Sequence, residues 1–340
     1  MVCTPFRSSN FLIFILAFFM FINPIQSENH LVSTDSQVKK DSSSITLKTN
    51  GKIEKSTGYK AILKNEDGFL AVGSEGRIDW ISVSGKVIKS EKFPDENFNC
   101  LMSDSIKTIV AGDNGSILIS FDKGKFRKIS SDTSKNINAL TYFNGLIIAG
   151  ADDGEILSGY GKGSFSKTHL PVKGNIVSLS SQKSDCYGAT DEGEIIHTKD
   201  GINWDIFDFN KVYADYYKPC FFTKILTTEL SIAVTGIQSD GSPALMFSTQ
   251  GNVWSERTLS YTDSKGMVDL LTESPNDIFY DKTLDLFYLA CNKGYVMQIP
   301  SCSHCNKLVQ FSTENLHGIS GYNNTLFIVG DNFCIKDINL

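Results

Sequence analysis

The sequence predicts an all-β fold, a seven-bladed β-propeller with an N-terminal strand closing the last blade. Three observations lead there. The turn glycines Gly76, Gly115, Gly154 and Gly193 stand 39 residues apart. Each interval holds four short β-like runs divided by turn residues, the signature of a blade. The two ends complement one another: the last unit stops one strand short at Leu340, and Ser44–Thr49, which alternates as a strand does, precedes the first unit.

The units can be followed in order. Ala71-Val-Gly-Ser-Glu-Gly76 recurs as Ala111-Gly-Asp-Asn-Gly115, Ala149-Gly-Ala-Asp-Asp-Gly154 and Gly188-Ala-Thr-Asp-Glu-Gly193. Looser copies follow at 236–247, 290–297 and 329–335, and Phe333 falls 39 residues after Gly294. In the third unit Ile137–Tyr142 alternates, Gly145–Ala149 is apolar throughout, and Glu155–Ser158 and Ser164–Thr168 follow across Asp-Asp-Gly and Gly-Lys-Gly turns. Such runs read as hairpins. An open solenoid would need capped ends and shorter rungs. At about 150 residues per domain, 340 residues suggest two domains. The repeat replaces them with one ring over 43–340.

Residues 1–27 read as a signal peptide: Arg7, the apolar run Phe11–Ile22, then Pro24 and a small residue, Ser27, before Glu28. The run is too short to span a bilayer, so the expectation is an exported chain (extracellular, periplasmic or in a secretory lumen) with no stable transmembrane anchor after cleavage. Residues 28–42 form a polar lead-in. A net charge of −6, from 32 basic and 38 acidic residues, argues against a nucleic-acid partner. No cofactor or metal is expected. Cys302-Ser-His-Cys305 is half a zinc site at most and reads as a possible disulfide.

A second motif recurs between the third and fourth strands. Ser120-Phe-Asp122-Lys-Gly-Lys-Phe126 and Thr198-Lys-Asp200-Gly-Ile-Asn-Trp204 share a hydroxyl residue, an aspartate two later, a glycine and an aromatic. Weaker versions end at Trp254, Phe165 and Val87. Ser/Thr and Asp bond nearby backbone N–H groups while glycine supplies the turn, and the aromatic is expected to pack between blades. These turns resemble the Asp-box (BNR) repeats of sialidase-like and sortilin-like propellers and of the photosystem II assembly factors. The resemblance implies a propeller whose Asp boxes are structural; it implies no activity.

Function is expected on the face that carries the turns between strands two and three. Glu75, Asp113, Asp152, Asp153, Asp191, Glu192 and Asp240 would form an acidic ring there for a basic partner or a cation; equally, such residues simply favour turns. Two insertions, 207–219 and 260–275, join the same face, and Tyr213, Tyr216 and Tyr217 form a candidate recognition patch. The expected function is an exported, non-enzymatic propeller that binds a protein or glycan through this loop-rich face. The alternative is a divergent sialidase-like carbohydrate-active hydrolase. Against it, the mature chain has only Arg77, Arg127 and Arg257 for a substrate carboxylate, and its histidines form no recognisable triad.

Overall fold

The computed structural model describes residues 56–340 except 105, 122–124, 162–163, 302–305, 324 and 340. The strand expected at 44–49, the signal segment, the lead-in, Asp122 and the Cys302/Cys305 pair therefore lie outside the described residues. Seven antiparallel sheets follow one another in chain order. Their inner strands are Tyr59–Asn65, Phe98–Ser103, Ile137–Phe143, Ile176–Gln182, Cys220–Thr227, Pro275–Asp281 and Leu316–Tyr322. Each packs against the inner strand of the next blade, and the seventh packs against the first, so the circle closes. Six blades have four strands; among the described residues the seventh has three, ending with Ile335–Asn339.

Burial explains the composition of each strand. Second strands such as Gly68–Gly73 lie between two neighbouring blades and are buried throughout, so they carry no alternation. Outer strands such as Val87–Lys92 are mostly exposed and mostly polar or charged. The core is therefore a series of layers between blades. Ile109, Ile117 and Ile119 of blade 2, for example, pack on Ile137, Leu140 and Ile147 of blade 3, each fully buried side chain contributing roughly 1.5–3 kcal/mol.

Every inner strand also carries a β-bulge near its start, at Lys60, Asn99, Asn138, Val177, Thr223, Asn276 and His317. Two residues there oppose one on the second strand. The bulged side chains of Asn99, Asn138 and Asn276 reach the next blade.

The seam between blades 7 and 1 is built differently. Asn332 N–H donates to the Thr57 carbonyl at 2.7 Å, and Gly58 bridges Asp331. Phe333 occupies the left-handed position (φ 54°) that Gly76, Gly115, Gly154 and Gly193 fill elsewhere. Its ring packs edge-on against Tyr59 at 5.1 Å and under the Arg77 guanidinium at 4.4 Å, contacts that offset its backbone strain. Asp79, wholly buried, accepts from the Tyr59 hydroxyl and from Arg77 Nε at 2.6 Å. Burial, then the bond to Asp79, pushes the Tyr59 phenol well above its ordinary range.

Candidate functional site

The acidic turn residues are tied into the ring. In blade 3 both oxygens of Asp152 are taken by amides, from Asn136 Nδ2 at 2.8 Å and Asn138 Nδ2 at 2.9 Å. Asn136 Oδ1 in turn accepts the backbone N–H of Asn114 in the turn of blade 2, at 3.1 Å. Asn138 also reaches the Ile176 carbonyl of blade 4, at 3.5 Å. The same clasp recurs with Asp113 held by Asn97 and Asn99, and with Asp191 held by the side chain and N–H of Asn175. It recurs again with Asp331 held by Asn315 and His317. Asn97, Asn175 and Asn315 likewise accept a turn N–H of the preceding blade. The carboxylates join turn, inner strand and two neighbouring blades, and each belongs to its own blade.

Blade 7 uses a titratable group in this clasp. His317 stands where Asn99, Asn138 and Asn276 stand, its Nε2 2.7 Å from Asp331 Oδ1, and Lys60 Nζ lies 3.8 Å from the same oxygen. Burial, then the Lys60 charge, holds the imidazole below the ordinary 6.5, against the opposing pull of Asp331 and Asp277. A folded value below the unfolded one means the unfolded chain takes up the proton first as pH falls. This group's share of stability is therefore full above about pH 6.5 and is lost as the pH drops below it. His317→Asn keeps a donor to Asp331 and removes the titration. Its melting temperature is expected to fall less between pH 7 and pH 5 than that of the parent chain; an equal fall would refute this account.

The remaining predicted residues do not come together. Asp153 and Glu192 are exposed on separate turns, and Lys135 Nζ lies 3.5 Å from Asp153. Asp240 accepts from Lys218 and from Ser242. The first insertion forms a short helix, Phe209–Val212, and Tyr213 and Tyr217 pack on the buried Phe209 ring at 4.9 and 5.9 Å. The Tyr213 hydroxyl accepts from Trp254 N–H at 2.7 Å. Of the three tyrosines only Tyr216 is exposed, at 78%, its ring edge-on to Tyr213 at 6.3 Å. The second insertion carries a hairpin, Ser260–Thr262 paired with Val268–Leu270. Arg77, Arg127 and Arg257 are spread over three blades, engaged with Asp79, the Phe121 ring and the Pro300 carbonyl.

The turn at Thr198–Trp204 of blade 4 is closed by its own aspartate. Asp200 Oδ1 accepts the N–H groups of Ile202 and Asn203, each at 2.8 Å, which holds its carboxyl far below the usual range. Phe126, Phe165 and Trp254 are buried beside their blades, and Trp204 packs on the layer between blades 3 and 4. Cys100, Cys186, Cys220, Cys291 and Cys334 are free thiols, the first four buried. Burial pushes Cys100, Cys186 and Cys220 up to about 12.

Concavities open between blades 1 and 2 and, on the loop-rich face, beside Glu75 and Asp113; two more adjoin one another on the opposite face, at the channel mouth framed by the first turns of blades 4, 5 and 6. A cavity of about 490 Å³ is lined there by Gln182, Leu226, Leu230, Phe279, Tyr280 and Asp285, among others. An adjoining cleft of about 480 Å³ between blades 5 and 6 shares Leu230, Tyr280 and Asp285 and adds Phe247, Phe287 and Arg257. Leu230 stands between the two, 81% exposed. Its turn is rigid, because Thr228 Oγ1 accepts the N–H groups of Leu230 at 3.3 Å and Ser231 at 2.9 Å. A leucine at the tip of the otherwise polar turn 228–231 was the one sequence signal for this site.

No family model and no curated protein matches the chain. Among solved structures it is similar to the computationally designed Ika8 protein, with a TM-score of 0.61 and 10% identity over 84% of this chain and 97% of that one. It is also similar to the Pan2 WD40 domain of Neurospora crassa, with a TM-score of 0.61 and 10% identity over 81% and 86%. The likeness is one of fold. At such identity it carries the propeller architecture and no activity.

Proposed function

We propose that the chain is an exported, non-catalytic propeller that binds a partner protein at the channel mouth around Leu230. The observation that carries this reading is a large apolar side chain fixed in solvent on a rigid turn between two aromatic-lined concavities. An isolated exposed leucine needs no explanation; one flanked by pockets of a size that ordinarily holds ligands does. The leader-like residues 1–27 support export. The clasped carboxylates and packed tyrosines move the reading from the loop-rich face to the opposite one.

A displayed random-peptide library selected on the immobilised chain tests it. Selected peptides are expected to bind Leu230→Asp at least tenfold more weakly, with the melting temperature unchanged because the side chain packs on nothing. Undiminished binding to the variant would remove the mouth as the site.

A further inference from the structure

Asp285 sits in the wall shared by the mouth cavity and the adjoining cleft. It is the left-handed residue (φ 53°) of the first turn of blade 6. Its carboxylate is gripped from two sides by neutral donors: the Tyr280 hydroxyl reaches Oδ1 at 2.7 Å, and the Ser301 hydroxyl reaches Oδ2. Both bonds hold its carboxyl below the usual range, so it is ionised at neutral pH. Among the described residues it has no cationic partner. Two neutral donors leave part of a carboxylate's accepting capacity open. Of the basic residues in the two walls, Lys282 is committed to Glu229 at 2.8 Å and Arg257 donates to the Pro300 carbonyl at 3.0 Å.

The result is a fixed negative charge beside an apolar collar of Leu226, Phe279 and Leu230. Tyr280 reports the same field. Its phenol is pushed above the ordinary value by the bond to Asp285, then by burial, then by the charges of Asp285, Glu229 and Asp281. A carboxylate placed this way, pre-oriented and without a counter-ion, favours a guanidinium or ammonium, and an apolar wall beside it favours a bulky side chain.

Resting on the proposed role of the mouth, we infer that its ligand is a peptide segment pairing a bulky apolar residue with a neighbouring arginine or lysine, the cation bound by Asp285. The apolar side chain fills the space beside Leu226 and Phe279. The cation meets Asp285 at the rim, where the Glu229–Lys282 pair is exposed and contributes little.

The library selection distinguishes this from the parent proposal. Peptides enriched on the full chain in 50 mM salt are expected to carry Arg or Lys next to an aromatic or leucine. Their affinity for Asp285→Asn should drop at least tenfold, and its salt dependence should flatten. The asparagine keeps acceptor geometry for one hydroxyl, and an unchanged melting temperature confirms the fold; Asp153→Asn, the same loss of charge at an exposed position on the opposite face, serves as the control and should change affinity less than threefold. Peptides that lose binding in Leu230→Asp but show no basic enrichment and no effect of Asp285→Asn would overturn the inference and leave the mouth in place. Peptides indifferent to both variants, or no enrichment at all, would overturn both.

Discussion

Gly115→Ala is expected to cost roughly 2–5 kcal/mol of folding stability, from left-handed backbone strain of about 1–2 kcal/mol and overpacking of about 1–3 kcal/mol. Gly115 has φ +70°. A methyl on its Cα would point straight at the Thr133 carbonyl oxygen, far inside contact distance, with Ser131 Oγ on the other side. Neither neighbour can retreat. Ser131 Oγ donates to the Gly115 carbonyl at 2.6 Å, and the adjoining Asn136 carries the clasp to Asp152 and Asn114. Gly145→Ala supplies the control. Its φ is +82°, but nothing lies within 4 Å of the added carbon, so only the strain remains, about 1–2 kcal/mol. Urea titrations that give unchanged slopes and a midpoint shift at least twice as large for Gly115→Ala would bear this out. Equal shifts would show that strain alone sets the cost and that the turn is not packed as described.

The contrast between those two glycines marks what the sequence made legible. The 39-residue spacing of Gly76, Gly115, Gly154 and Gly193 revealed the repeat, because one backbone requirement recurs in each blade. The role of the carboxylates two residues before them was hidden, since Asp113 and Asp152 look like any turn former. Their partners stand 14 and 16 residues earlier, as Asn97 and Asn99 or Asn136 and Asn138. That spacing was in the text, but its meaning depends on the inner-strand bulge, which brings both amides to the same carboxylate and leaves no sequence mark of its own. The setting of the tyrosine motif was hidden for a related reason. Tyr213 caps a one-turn helix and Tyr216 and Tyr217 lie in the turn that follows, which folds back so that two of the three pack on Phe209. The channel mouth was the least legible. It joins Gln182, Leu226 and Phe279 from three blades, and no local pattern connects residues brought together only by the packing of neighbouring blades.

Asp152→Ala separates the clasp from the acidic-ring reading. The substitution leaves the amides of Asn136 and Asn138 without their acceptor, half-buried at the junction of blades 2, 3 and 4. Hydrogen bonds to a charged group contribute about 1.5–3 kcal/mol each, and a stranded buried donor costs about 1–3 kcal/mol. Partial rescue by water brings the expected loss to about 2–4 kcal/mol. Asn138→Ala removes the same bond from the other side, along with the reach to the Ile176 carbonyl. The double variant should therefore lose less than the sum of the singles, with a coupling of about 1–2 kcal/mol. Asp153→Asn, one residue away, exposed and at φ 53°, a backbone that asparagine tolerates as aspartate does, should change stability by less than about 0.5 kcal/mol. A carboxylate kept for a basic ligand would behave in the opposite way. Its removal would relieve repulsion or leave stability unchanged, and Asp152 and Asp153 would be alike. A large, coupled loss at Asp152 beside silence at Asp153 would mean that this acidic residue is selected by the ring it holds together, and that recognition has to be sought on the face where the carboxylates are not engaged in closing it.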